Sequence, residues 1–306
     1  MTQGGDLRRN PVSGGLAIVA PARASRPADT AGRGAGAPPC PFCAGNEALT
    51  PPEVDAVRPA GGAPDGTGWR VRVVPNKYPA LAGRHEVVVH APDHGAELEG
   101  LADEALAEVI RMWRRRIDAQ LSSGAAAVTL IGNLGAGSGA SLEHPHEQLF
   151  ATPVVPPVLL DELLEMERYR NRYGSCVVCD EAEAAGERSV LGGPFPAWVP
   201  AATRYNGELW LAPAAHEPDF RTADPAALAP AFRRVLAAVK ASIGEAPLNF
   251  WLHTAPADLR GPFHWHVEFA PRTSTLAGFE LGSGIHVVTR APEEAAAAYR
   301  DALPSA

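Results

Sequence analysis

Long apolar runs are missing from this 306-residue sequence. No stretch approaches the roughly 18 consecutive apolar residues of a membrane-spanning helix. The polar opening MTQGGDLRRN is not followed by the apolar core of a secretory leader. A cytoplasmic protein with no membrane partner is therefore expected. Positive charge is also short, because 27 lysines and arginines against 35 aspartates and glutamates leave a formal net charge of -8. Such a surface cannot neutralise a long run of phosphates, so polymeric nucleic acid is excluded as the expected partner, although a few local arginines could still hold a small anion. Cysteine is the third scarcity. Only four are present, in a chain too large to need disulfide staples, and they fall as two C-x-x-C pairs, Cys40/Cys43 and Cys176/Cys179.

What is there suits a globular protein, with 46% hydrophobic and 20% charged residues. The stretch RPADTAGRGAGAPP (26–39) has no apolar periodicity and reads as a flexible connector. Short β-branched or aromatic runs predict strands at 15–20, 69–75, 85–90, 127–133, 147–152, 207–213, 248–254, 264–271 and 285–289. Leu106, Val109, Ile110, Trp113, Ile117 and Leu121 share one helical face, as do Leu228, Phe232, Leu236, Val239 and Ile243 behind the N-cap Asp224 and Pro225. Two more helices are expected at 157–172 and from Pro292. The order predicts an α+β fold, an antiparallel sheet with helices packed on it.

The order also repeats. HEVVVHAPDH (85–94) aligns without gaps on GELWLAPAAH (207–216), and after a long helix VTLIGNLGAGSGASLEHPHEQLF matches LNFWLHTAPADLRGPFHWHVEF. Each half brings one C-x-x-C, a loop histidine and an H-x-H. The chain is accordingly expected to be a duplication, with halves at 1–155 and 156–306. Tetrahedral metal binding needs four sulfur or nitrogen donors, and each half supplies them: Cys40, Cys43, His94 and His144 in the first, Cys176, Cys179, His216 and His264 in the second. A redox pair or two buried thiols is the alternative for an isolated C-x-x-C. Two pairs in duplicated positions put metal first, and mixed sulfur and nitrogen ligands put zinc ahead of iron, at two sites per chain.

With four protein ligands the metal has no open position, so its part is to fix loops. That leaves His146 without a metal to bind. A neutral imidazole with one nitrogen tied to an acceptor can present the other as a nucleophile towards phosphorus, although an H-x-H in a strand is more commonly metal-binding or core. In extended chain His144, His146 and Gln148 share a face. The glycine-rich GNLGAGSGAS (132–141) lets backbone N–H groups approach anionic oxygens, and Gln148 and Ser141 could donate to the same phosphate. The result suggests phosphoryl or nucleotidyl transfer.

NPVSGGLAIVAPARASRP, PPCPFCAGNE, VVPNKYPAL, APDH, GNLGAGSGASLEHPHEQL and HWHVEFAPR...AGFELGSG, in that order, resemble the galactose-1-phosphate uridylyltransferases and their relatives, including the ADP-glucose phosphorylases, within the histidine-triad superfamily. The resemblance runs from about residue 8 to 295. It implies two histidine-triad-like halves and a ping-pong exchange, in which His146 attacks the α-phosphorus of a nucleotide sugar, releases sugar 1-phosphate and passes the nucleotidyl group on. UMP moving between a UDP-sugar and a sugar 1-phosphate is the leading expectation. An adenylyl transfer from ADP-glucose with phosphate as acceptor is the alternative, and a zinc-stabilised nucleotide-binding protein without activity is a third. By the same resemblance Gln148 stabilises the transferred group, Ser141 binds the β-phosphate side, and Asn76 and Asn133 line the nucleotide site. Arg23 and Arg26 match the phosphate-facing arginines, with a solvated strand end as the plain alternative. Phe279 and Glu280 match a sugar-binding loop, often placed across the interface of a homodimer. The second cysteine pair matches the branch with two metal sites. Two departures stand out: Glu147 in H-P-H-x-Q, expected on the opposite face, and the absence of a lysine before the sugar loop.

Overall fold

The computed structural model describes residues 5–12, 14–25, 39–259 and 261–304. An N-terminal hairpin pairs β1 (Asp6–Arg9) with β2 (Leu16–Val19). There follow β3 (Asp55–Val57), β4 (Val71–Pro75), β5 (His85–Val89), helix α1 (Asp103–Ser122), β6 (Ala127–Leu134) and β7 (Glu147–Thr152). Helices α2 (Pro157–Tyr173) and α3 (Val177–Glu183) lead into β8 (Ser189–Leu191), β9 (Ala197–Trp198) and β10 (Leu209–Leu211). Helix α4 (Pro225–Ile243), β11 (Leu248–His253), β12 (His266–Pro271), α5 (Gly278–Ser283) and α6 (Pro292–Ala302) complete the chain.

Ten strands form one antiparallel sheet in the order β3-β4-β5-β7-β6-β11-β12-β10-β9-β8. At its centre Ile131 lies opposite Trp251, with Leu130 opposite Leu252 and Gly132 opposite Phe250. The shift that carries Ile131 onto Trp251 carries Leu130 onto Phe250 and Gly132 onto Leu252, so the flanking pairs exchange. The sheet therefore has a local two-fold axis at Ile131/Trp251, and its strands run outward in matching order on either side.

Helices α1 and α4 pack on each other over one face of this sheet. The residues that recur at helical spacing on α1, Leu106 to Leu121, are the buried ones. Trp113 meets Phe232 of α4 at 5.6 Å and Phe250 of β11 at 6.2 Å, and each such fully buried side chain contributes about 1.5–3 kcal/mol. Helix α4 starts where its sequence says it should. The Asp224 carboxylate accepts from the N–H groups of Ala226 and Ala227, and Pro225 occupies the first turn, where no N–H is needed. A smaller cluster, Cys40, Phe42, Trp69, Val74, Val87 and Val89, fixes the first cysteine pair against β4 and β5. No helix among the described residues is long and apolar enough to cross a membrane.

Four expectations need correction. The run 285–289 is not a strand: Ile285 and Val287 are both exposed, no strand edge takes up the backbone, and the N–H groups of Thr289 and Arg290 are donated to the Asn206 side chain instead. The sugar-loop stretch holds a short helix, α5, closed by Gly284 in the left-handed region. His144 and His146 precede β7, which begins only at Glu147. The gapless alignment is also out by one residue within the strand, since Val87 pairs with Gln148 whereas Trp210, not Leu209, pairs with Glu268. It holds again at the loop, so the second half uses one residue fewer between strand and loop.

Gly132 is where the two-fold axis is most crowded, because an added Cβ would lie 1.9 Å from the Phe250 ring. Gly132→Ala is expected to cost about 1–3 kcal/mol in urea unfolding, and a second change, Phe250→Leu, should recover part of it. An unchanged midpoint for Gly132→Ala would contradict this packing.

Candidate functional site

The two cysteine-histidine sets come together separately, each with its four ligand atoms within 4.8 Å of one another. In the first, His144 Nδ1 lies 3.7 Å from Cys40 Sγ and 3.6 Å from Cys43 Sγ, and His94 Nδ1 lies 3.4 Å from Cys43 Sγ. In the second, His264 Nδ1 is 3.4 Å from both Cys176 Sγ and Cys179 Sγ. Tetrahedral zinc with ordinary bond lengths would separate sulfur from nitrogen by roughly 3.6 Å. The donor sets fit such an ion. Orientation fits as well: His144 Nε2 donates to the Ala91 carbonyl at 2.9 Å and His264 Nε2 to the Pro213 carbonyl at 3.0 Å, which leaves both Nδ1 lone pairs facing the sulfurs. Burial, above all, holds both imidazoles down at about 4, so they stay neutral at ordinary pH. Burial and then the neighbouring Cys176 push the Cys179 thiol up to about 12, so a cation would favour loss of its proton.

Two residues beyond His144 the geometry changes use. The His144 carbonyl can only accept, so His146 Nδ1 donates to it at 2.8 Å and the imidazole's lone pair is on Nε2. His146 forms one wall of an open pocket with Asn133, Gly135, Ala140, Glu97 and Glu143. Phe42 packs edge-on against both imidazoles, at 6.0 Å from His144 and 5.2 Å from His146, and so ties the two rings together. Gln148 lies on β7 facing β5. There the Ala80 N–H donates to His85 Nδ1, which places the His85 proton on Nε2, from which it is donated to Gln148 Oε1 at 3.0 Å. The oxygen of Gln148 is thus taken up and its amide N–H groups are the end available to an anion.

A family model described as "Galactose-1-phosphate uridyl transferase, N-terminal domain" matches residues 76–156, the span from Asn76 through H-P-H-x-Q. An ADP-glucose phosphorylase of Arabidopsis thaliana is 29% identical over 98% of this chain and 93% of its own. A galactose-1-phosphate uridylyltransferase of Thermotoga maritima is 28% identical over 97% of this chain and 98% of its own. The crystal structure of an Arabidopsis thaliana ADP-glucose phosphorylase with bound ADP-glucose superposes with a TM-score of 0.80 at 28% identity, covering 97% and 99% of the two chains. Over nearly its whole length the chain is thus similar to an ADP-glucose phosphorylase and to a galactose-1-phosphate uridylyltransferase.

Of the residues expected to meet ligand, Asn133 and His146 share the pocket wall. Asn76 meets Gln148 at His85: its Oδ1 accepts from the Tyr78 N–H, and its Nδ2 lies 3.1 Å from His85 Nε2. Ser141 is half-buried in the same glycine-rich connection. Arg26 and the Arg23 side chain fall outside the described residues. Phe279 is exposed, and Glu280 accepts from the Ala277 N–H at the start of its own short helix, so neither is brought to the pocket within this chain. Glu147 points away from the pocket, as strand alternation requires. It is fully buried against His90, which donates from Nδ1 to Glu147 and from Nε2 to the Ala96 carbonyl. Burial alone would lower the His90 pKa, but the Glu147 charge and hydrogen bond overcome it and raise the value.

Three features escaped the sequence reasoning. His85 was visible only as the first residue of a strand. The pair His90/Glu147 has no local spacing that announces it. The third is a buried group in the second half, Glu162, His253, His266 and Glu268, again with ligand-capable atoms within 4.8 Å. His253 Nδ1 approaches Glu162 at 2.8 Å, His266 Nε2 lies 3.3 Å from Glu268, and Arg204 pairs with Glu268. The second H-x-H offered a signal, because it leaves His266 over once His264 has joined its cysteines.

Cation binding to Cys176, Cys179, His216 and His264 must expel the thiol protons, so affinity should rise with pH across neutrality. Calorimetric titration of zinc into metal-stripped protein, run in two buffers of different ionisation enthalpy, should show about two protons released for this site, and correspondingly fewer for Cys179→Ser. Binding without proton release would contradict the ligand set.

Proposed function

We propose that this chain is a nucleotidyltransferase that moves a nucleoside monophosphate from a nucleotide sugar to a phosphate-bearing acceptor through a covalent nucleotidyl-His146. The observation that carries the reading is the bond from His146 Nδ1 to the His144 carbonyl, which sets the lone pair on Nε2 at the pocket wall. In the first step Nε2 forms a bond to the α-phosphorus and the bond from that phosphorus to the bridging oxygen breaks, with sugar 1-phosphate leaving. The leaving group is a phosphate anion and needs no general acid. In the second step an acceptor phosphate oxygen attacks the same phosphorus, the N–P bond breaks, and His146 is restored. Gln148 and Asn133 would donate to the non-bridging oxygens, with Asn76 and Ser141 alongside and Arg23 and Arg26 as charge partners. The first half (1–155) carries the nucleophile. The second (156–306) carries the other metal set and the segment with Phe279 and Glu280, assigned to the sugar across a homodimer.

Zinc is proposed for both cysteine-histidine sets, held by Cys40, Cys43, His94 and His144 and by Cys176, Cys179, His216 and His264; with every position filled by protein it supplies rigidity to the loops. Metal analysis should return about two zinc ions per chain, and Cys43→Ser and Cys179→Ser should each remove one.

The two full-length relatives differ in nucleotide. The slightly higher identity to the plant protein favours ADP-glucose with phosphate as acceptor, and the Thermotoga maritima relative supports UDP-sugar as the second reading. Intact-mass measurement after incubation with ADP-glucose or UDP-glucose separates them, because the added mass identifies the nucleotide. His146→Ala should abolish the adduct and lower turnover by at least about 10³-fold. Nucleotide binding with no adduct from either donor would favour a zinc-stabilised binding protein instead.

A further inference from the structure

Asn133 and Asn249 are register partners across the two-fold axis, one from each half. Their side-chain amides touch: Asn249 Nδ2 donates to Asn133 Oδ1 at 2.7 Å. Which end of each amide points where is fixed by neighbours that have only one hydrogen-bonding role. Arg272, a donor only, gives NH1 to Asn249 Oδ1 at 3.0 Å. The Ser138 carbonyl, an acceptor only, takes the second hydrogen of Asn249 Nδ2 at 2.9 Å. Asn249 is thereby fixed with its oxygen towards Arg272 and its nitrogen towards the first half. Asn133 must answer with its oxygen, so its own Nδ2 is left for the pocket it shares with His146. Arg272 is itself set by its N–H, which donates to the Pro247 carbonyl at 2.7 Å, beside the Leu248/Pro271 strand pair.

We propose that Asn249, backed by Arg272, is a positioning residue for transfer at His146: it turns the Asn133 amide so that a donor, not an acceptor, meets the phosphoryl oxygens. The same nitrogen holds the Ser138 carbonyl, so the glycine-rich connection that forms the pocket floor is registered to the strand by one side chain. This assigns a function in the first half's chemistry to a second-half residue that never touches the substrate. The proposal rests on the nucleotidyl-transfer reading above. Orientation matters because an amide oxygen turned towards a phosphate repels it, whereas an N–H stabilises the charge that grows there in the transition state.

Asn249→Asp separates orientation from packing. The carboxylate has the same shape and a stronger attraction to Arg272 but loses the bond to the Ser138 carbonyl, so stability is read alongside, with Tm expected within about 3 °C of the parent. A carboxylate can only accept, however. It would turn Asn133 around and present Oδ1 to the pocket. The expected result is that His146 labelling by ADP-glucose or UDP-glucose, followed in a single turnover, slows by about 10²-fold in Asn249→Asp and by less in Asn249→Ala. Arg272→Ala should show a smaller loss that Arg272→Lys restores, since a lysine also only donates. In an Asn133→Ala background most of the Asn249→Asp loss should vanish, because the group it misorients is gone. Labelling of Asn249→Asp at the parental rate, or an undiminished loss in the Asn133→Ala background, overturns the proposal. If the parent itself is not labelled, nucleotidyl transfer is the idea that fails, and AMP and UMP binding by calorimetry then decides on Asn249: weaker binding by Asn249→Asp than by Asn249→Ala supports the orienting role, and equal binding, or none by any form, removes it.

Discussion

The hydrogen bond between His146 Nδ1 and the His144 carbonyl is the contact on which the site depends. It joins a residue whose imidazole belongs to a metal set to one whose imidazole faces the pocket. His144 is held from both sides, by the sulfurs at Nδ1 and by the Ala91 carbonyl at Nε2, so its backbone carbonyl is a fixed acceptor. That carbonyl selects the tautomer of His146 and so puts its lone pair on Nε2. On the proposed function, a metal held by the first cysteine-histidine set would govern reactivity without touching a substrate, by holding the loop whose backbone sets the His146 tautomer.

The second half repeats the device and uses it differently. His266 Nδ1 again donates to the carbonyl two residues back, at 3.0 Å, and the rings of the loop and H-x-H histidines meet at 5.2 Å in both halves. Glu268 stands where the first half has Gln148 and pairs with Arg204 and His253, while Glu162 approaches His253 and His266. Trp210 then stacks on the imidazole at 4.5 Å, where the first half has Val87. The ring is fully buried, and burial holds it at about 4. One half keeps its imidazole at a pocket; the other has enclosed the equivalent ring in a core of charge. The local two-fold axis brings these halves close enough for Asn249 of one to orient Asn133 of the other.

Much of this was legible in the sequence because the signals were local or repeated. Helices α1 and α4 follow from apolar spacing and the Asp224-Pro225 start, and β7 from a short run with aromatic and β-branched residues. The two cysteine-histidine sets were legible because the repeat in the sequence gives each cysteine pair histidine partners at matching places. What could not be read depends on contacts between distant segments. His85 acquires its tautomer from the Ala80 N–H and passes it to Gln148, a relation that no spacing encodes. Glu162 on α2 meets His253 at the end of β11 across 91 residues of sequence. The run 285–289 has strand-forming residues but no edge to pair with, so its composition misleads. The one-residue slip at Val87 and Trp210 arises because a gapless match cannot show a strand and a loop repeating with different lengths.

The most direct measurement is to trap the covalent intermediate with its nucleotide donor and locate the phosphorus by phosphorus NMR and fragmentation mass spectrometry. The account predicts a single phosphoramidate on Nε2 of His146. Attachment through Nδ1 of that ring, or on His85, His266 or any other side chain, would contradict it.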